Sequence, residues 1–116
     1  MPRSGHAPEL RTFATCWNDG KFFEAHEALE PLWGRTRDAG QQGLIQLAVA
    51  LHHMRHGNMR GAGRMVERAI AHLKDPSRGS CPFDLGSILE YAGRLIRHLD
   101  RDPVDQLISE RPYLKM

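Results

Sequence analysis

Six polar side chains in this chain could do chemistry together: His26, Glu27 and Glu30 in the stretch FEAHEALEPLW (residues 23–33), and Gln46, His53 and Asn58 further on. Histidines and carboxylates interleaved at helical spacing permit three kinds of chemistry. They can bond one another, hold a cation, or move a proton. His26 and Glu30 form an (i, i+4) pair on one side of a helix and can reach one point. Glu27 points slightly further out, and Glu24 lies nearly opposite the apolar face. Gln46 and His53, seven residues apart, make a polar line on an otherwise apolar segment. His52 and His56 form a separate (i, i+4) pair about a third of a turn away. If the two segments pack antiparallel, the His26 cluster faces one of these two lines.

The first expectation for the cluster is structural. Its members bond one another, Gln46, or the Glu27 carbonyl that Pro31 leaves free, because buried polar groups must find partners. The second is a metal site with His26 and Glu30 as ligands, since helical bundles build such sites from Glu and Glu-x-x-His on facing helices. The order His-Glu-x-x-Glu lacks the second histidine of the HExxH zinc motif, so a divalent metal is the less favoured cofactor. The third is a metal-free acid–base or ligand pocket, with His26 working beside Glu27 or Glu30.

The elements that must position these residues are helices. Pro8 suits a first turn, and Leu10, Phe13, Ala14 and Trp17 follow at helical spacing until Asn18-Asp19-Gly20 stops them. A second helix runs from about Lys21 to Trp33, with Phe22, Ala25, Leu29, Leu32 and Trp33 on its core face. Pro31 inside it predicts a kink or a tightened last turn. GRTRDAGQQG (34–43) reads as a loop. The central helix, about 42–57, is apolar on most sides through Leu44, Ile45, Leu47, Ala48, Val49, Leu51 and Met54. Such a helix is enclosed by others. Gly57 ends it and Asn58 caps a fourth helix carrying Ala62, Met65, Val66, Ala69, Ile70 and Leu73. Asp84 caps a fifth, and a short sixth spans about Pro103 to Ser109. With no sustained strand alternation the class is all-α: a compact bundle of five to six helices around a central one, in one domain over 1–116 with a loose leader at 1–7.

There is an internal echo. Gly20, Ala25, Leu29 and Leu32 are matched 37 positions later by Gly57, Ala62, Val66 and Ala69. This is the hairpin logic of tetratricopeptide repeats, although any close helical hairpin favours small residues near its turn.

Composition narrows the classes. The chain has 116 residues, 41% hydrophobic and 26% charged, with net charge +2 and no Lys/Arg block, so nucleic acid is not favoured as a partner. Arg60, Arg64 and Arg68 share one side of the fourth helix and read as a solvated face. Cys16 and Cys81 have no metal-site spacing and read as free thiols in a reducing, cytoplasmic setting. MPRSGHAPEL shows no apolar signal region, and LIQLAVAL is too short to span a bilayer, so no membrane role is expected.

FFEAHEALEPLW and QGLIQLAVALHHMRHGNMRGA together resemble the family known as the domain of unknown function 309, small bacterial and archaeal helical proteins. The paired motifs run from Gly20 to Ala62. The resemblance implies a compact helical bundle with one central helix, and no activity. Its characteristic polar residues fall on Glu24, His26, Glu27, Glu30, Gln46 and Asn58, with a histidine on His53 or the adjacent His52.

The function expected from all this is a small interaction or ligand-binding module, built from two tetratricopeptide-like hairpins with a buried His/Glu polar cluster. The alternative is a small metal-dependent hydrolase using His26, Glu27, Glu30 and His53. A protein partner, a small ligand or a second copy of the chain all remain open as what it binds.

Overall fold

Each helix of the structure, a computed structural model describing residues 7–79 and 81–116, starts and stops on a local signal. The expected leader at 1–7 lies outside the described residues except for Ala7, which packs against the core. Helix α1 (Pro8–Asn18) opens on its proline and buries Leu10, Phe13, Ala14 and Trp17. It ends in a Schellman turn: Gly20 takes φ +79, its N–H reaches the Trp17 carbonyl at 3.1 Å, and the Lys21 N–H reaches Cys16 at 2.8 Å. Glycine alone holds that conformation without Cβ strain.

Helix α2 (Phe22–Thr36) buries Phe22, Ala25, Leu29 and Leu32. It runs one turn beyond the expected end, with Pro31 inside it. It stops at Arg37, whose φ of 56 is left-handed and whose N–H donates to the Trp33 carbonyl at 2.7 Å. The Arg37 guanidinium lies 4.4 Å over the Trp33 ring, which steadies that turn. Asp38 then caps α3 (Ala39–Arg55) by accepting from the Gln41 N–H at 3.0 Å. The ten-residue loop expected at 34–43 is thus only Arg37 and Asp38. Two of the glycines that looked like breakers, Gly40 and Gly43, are contact residues instead. A Cβ on Gly43 would stand 2.7 Å from Leu73 Cγ and 3.1 Å from the Ala69 carbonyl, so the gap in side chain is what lets α3 and α4 close together.

Helix α3 ends as α1 does. Gly57 has φ +79, its N–H reaches Met54 at 3.1 Å, and the Asn58 N–H reaches His53 at 2.8 Å. Asn58 caps α4 (Met59–Leu73) through the Gly61 N–H at 3.0 Å. Even the cap dihedrals match across the 37-residue echo: Lys21 has φ −93, ψ 75 and Asn58 has φ −91, ψ 76. Both matched alanines, Ala25 and Ala62, are fully buried. Asp84 caps α5 (Leu85–His98), and α6 (Val104–Ser109) is fastened where the Tyr91 hydroxyl donates to the Leu107 carbonyl at 2.7 Å.

The class is all-α, and the helices pack largely in chain order: α1 on α2, α2 on α3, α3 on α4, α4 on α5, with α6 returning to α3. The central helix α3 lies mainly between α2 and α4. One continuous core runs through all six. No helix among the described residues is long and apolar enough to cross a membrane.

The α3–α4 contact generates a paired prediction. Gly43→Ala overpacks it and costs about 1–3 kcal/mol. Gly34 sits inside α2 with nothing within 4 Å of an added Cβ, so Gly34→Ala gains about 0.5–1 kcal/mol. Urea midpoints moving in opposite directions at equal slope are the expected result.

Candidate functional site

The antiparallel packing of α2 and α3 lays the first turns of α2 against the last turns of α3, beside the two glycine turns. His26 thereby faces the His52–His56 line. Phe23 is the centre: its ring lies 4.8 Å from the His26 ring and 5.3 Å from His52, and His52 continues to His56 at 4.3 Å. Phe23 remains 46% exposed. His26 Nδ1 is 2.6 Å from the Phe23 carbonyl and His56 Nδ1 is 2.9 Å from the His52 carbonyl, so both rings donate from Nδ1. His26 Nε2 faces Glu30 Oε2 at 3.7 Å. That pair is half in water and contributes about 0–0.5 kcal/mol.

The other expected members stand apart. Gln46 Oε1 accepts from His72 Nδ1 of α4 at 2.7 Å. His53 Nδ1 lies 3.4 Å from the Asn58 amide, and Asn58 mainly caps α4. Glu24, Glu27 and Glu30 are open to solvent, as are Arg60, Arg64 and Arg68. The cluster is therefore not buried: among the described residues no polar or charged side chain is. The physical reason is its position at the end of the helix pair. There the core face of α2 runs out, and its edge meets the polar last turn of α3 instead of a third helix.

This geometry constrains the chemistry. Among the described residues, no group of three or more His, Cys, Asp or Glu side chains is gathered as a metal ion needs. His26 and Glu30 make two ligands at most, so the residues present do not form a closed metal centre. Burial pushes His52 below its ordinary value, and the neighbouring His56, His53, His26 and Arg55 charges push it the same way. Arg55 itself reaches across to donate to the Gly20 carbonyl and lies 4.8 Å over the Phe22 ring, tying the two turns together. Cys16 and Cys81 are free thiols, both raised by burial and so held as neutral SH groups.

A second feature is not among the sequence expectations. Segment 111–116 lies extended against α1. Arg111 donates to the carbonyls of Trp17, Asn18 and Ile108 at 3.0, 2.9 and 2.9 Å. The Trp17 indole donates to Pro112 at 2.9 Å, and Leu114 is buried. A cavity of about 480 Å³ flanks this strap on the α5 side. No local spacing signals a contact between residues so far apart in the chain.

Residues 10–65 match the sequence model of a family described as a domain of unknown function (DUF309). That stretch holds both glycine turns and the whole Phe23–histidine face, but neither α5 nor the strap. An uncharacterized protein of Aquifex aeolicus (strain VF5) is 35% identical over 95 residues, covering 76% of this chain and 28% of the relative. The uncharacterized protein YpuF of Bacillus subtilis (strain 168) is 39% identical over 75 residues, covering 60% of this chain and 43% of the relative. This chain thus spans less than half the length of either relative. No solved structure matches it.

A pH prediction follows from His52. Its folded value lies below the ordinary 6.5, so the unfolded chain binds the proton more readily. The associated stability is present above pH 6.5 and is lost as pH falls below it and through the folded value. His52→Gln should flatten this acid limb in urea melts run across that range, leaving stability near pH 8 little changed.

Proposed function

We propose, for a chain that belongs through residues 10–65 to the family of the domain of unknown function (DUF309), that it works as a helical interaction module. Its binding face is Phe23 with His26, His52 and His56. One observation carries this reading: a large apolar ring stands 46% exposed yet is held between two imidazoles. An aromatic side chain fixed in place before binding loses little freedom when a partner covers it, which is how interface anchors contribute most of their affinity. The two tetratricopeptide-like hairpins present this ring at the end where both glycine turns meet. A protein is the partner this face suits, because a small ligand would need a concave pocket around it. A cytoplasmic setting belongs to the same reading, supported by the neutral free thiols of Cys16 and Cys81.

The hydrolase alternative draws no such support. His26 has one ring nitrogen engaged by its own helix, and Glu27 and Glu30 face water outside any enclosure.

The test is photo-crosslinking in cells, with a benzophenone amino acid placed at Phe23 and, as control, at Arg68 on the solvated face of α4. A discrete adduct at position 23 and none at 68 is expected, with a doubled chain mass identifying a second copy as partner. His26→Ala should lower stability by about 1 kcal/mol and Glu30→Ala by less than half of that. Stoichiometric metal in the purified chain, lost in both variants, with no adduct at 23, overturns the reading in favour of a metal-dependent enzyme.

A further inference from the structure

We propose that the channel between α1 and α5 is a binding site for an extended Pro-x-Leu segment of a partner protein, and that residues 111–116 of this chain occupy it in cis. The inference does not rest on the Phe23 face. It rests on how the strap is held.

Recognition is of the main chain, at alternate residues. The Trp17 indole N–H donates to the Pro112 carbonyl at 2.9 Å. Two residues on, the Asn18 carboxamide takes both main-chain groups of Leu114: its Oδ1 accepts from the Leu114 N–H at 2.9 Å, and its Nδ2 donates to the Leu114 carbonyl at 2.9 Å. Pro112 has no N–H to satisfy. Tyr113 between them is 77% exposed, whereas Leu114 is 5% exposed. This in–out alternation is what a receptor sees when it reads an extended strand: main-chain bonds give affinity, and a pocket for every second side chain gives selectivity. A bidentate asparagine reads any peptide bond, so nothing in these contacts is restricted to this chain's own segment.

The channel is also larger than its occupant. Phe83 lines it and lies 6.2 Å from Phe13 in the core. About 480 Å³ remains open on the side of Pro82, Phe83 and Ile88, and about 300 Å³ on the side of Arg11, Ala14 and Thr15. The strap is thus open to solvent along both flanks while Leu114 stays buried between them. Arg111 marks where release would stop. Its guanidinium closes the end of α1 through the Trp17 and Asn18 carbonyls, independently of anything after Pro112. The proline also keeps Arg111 out of helical geometry, so the chain enters the channel already extended.

The test uses the full chain with Leu114→Ala, which loosens the strap without touching the receptor residues. The probe is the synthetic peptide acetyl-Arg-Pro-Tyr-Leu-Lys-Met-amide, and the readout is the Trp17 indole N–H resonance. The substitution should shift that resonance, and the peptide should return it saturably. The same peptide with Leu replaced by Ala should bind about tenfold more weakly or worse, and adding Asn18→Ala to the chain should abolish the return. A folded Leu114→Ala chain whose resonance ignores millimolar peptide overturns the proposal. If Leu114→Ala fails to fold, the wild-type chain is titrated with a nitroxide-tagged peptide. Selective broadening of the Asn18 and Ser87 amides supports exchange with the strap, and its absence at millimolar peptide overturns it.

Discussion

Two glycines at φ +79 turn the chain back on itself, and the position of everything functional follows from them. Each sits at C′ of a Schellman turn, and each is followed by a cap residue with nearly the same dihedrals. Because α2 doubles back into α3 through Arg37 and Asp38, the first residues of α2 meet the last residues of α3 at the end where both glycine turns lie. That meeting sets Phe23 against His52 and lets Arg55 bridge to the Gly20 carbonyl. Remove the left-handed conformation at either position and α2 and α3 would slide or splay, and the face would disperse before the core did.

What could be read from the sequence depended on how local the signal was. Helix starts were plain at two caps that bond within three residues, Asn58 to Gly61 and Asp84 to Ser87, but not at the third, Asp38 to Gln41. The stretch 34–43 was misleading because a glycine carries two opposite messages. Gly57 ends a helix, whereas Gly43 lies inside one and makes room for Leu73. Only knowledge of the partner helix separates the two. The site was legible by half. Helical spacing placed His26 beside Glu30, and the (i, i+4) pairing of His52 and His56 was visible. Which line His26 would face depended on the rotation of α2 about its axis, and that is set by Phe22, Ala25 and Leu29 packing inward. Gln46 turned to His72 because α4, not α2, covers that side of α3. Neither fact has a signature in residue order.

The charged groups around the site have a common logic. Cations crowd the turn end, with Arg55 and Arg111 both stacked on Phe22, at 4.8 and 5.2 Å. They tolerate each other because their protons go to carbonyls at the turns and because the ring face offers both a negative quadrupole. Burial lowers Arg111 from its ordinary value, yet a guanidinium stays charged at any physiological pH. His52 is held below its ordinary value by burial first and then by the neighbouring His56, His53, His26 and Arg55 charges, so its imidazole serves as aromatic surface near neutrality.

The strap has a kinetic consequence. Helix contacts in this fold mostly join neighbours in the chain, and such local topology forms quickly. The bonds from Trp17 to Pro112 and from Asn18 to Leu114 instead close separations of 95 and 96 residues. Closing so long a loop yields nothing until both ends are already structured. The hairpins therefore assemble first and the strap docks last. For that interval, each newly made molecule exposes an open channel between α1 and α5.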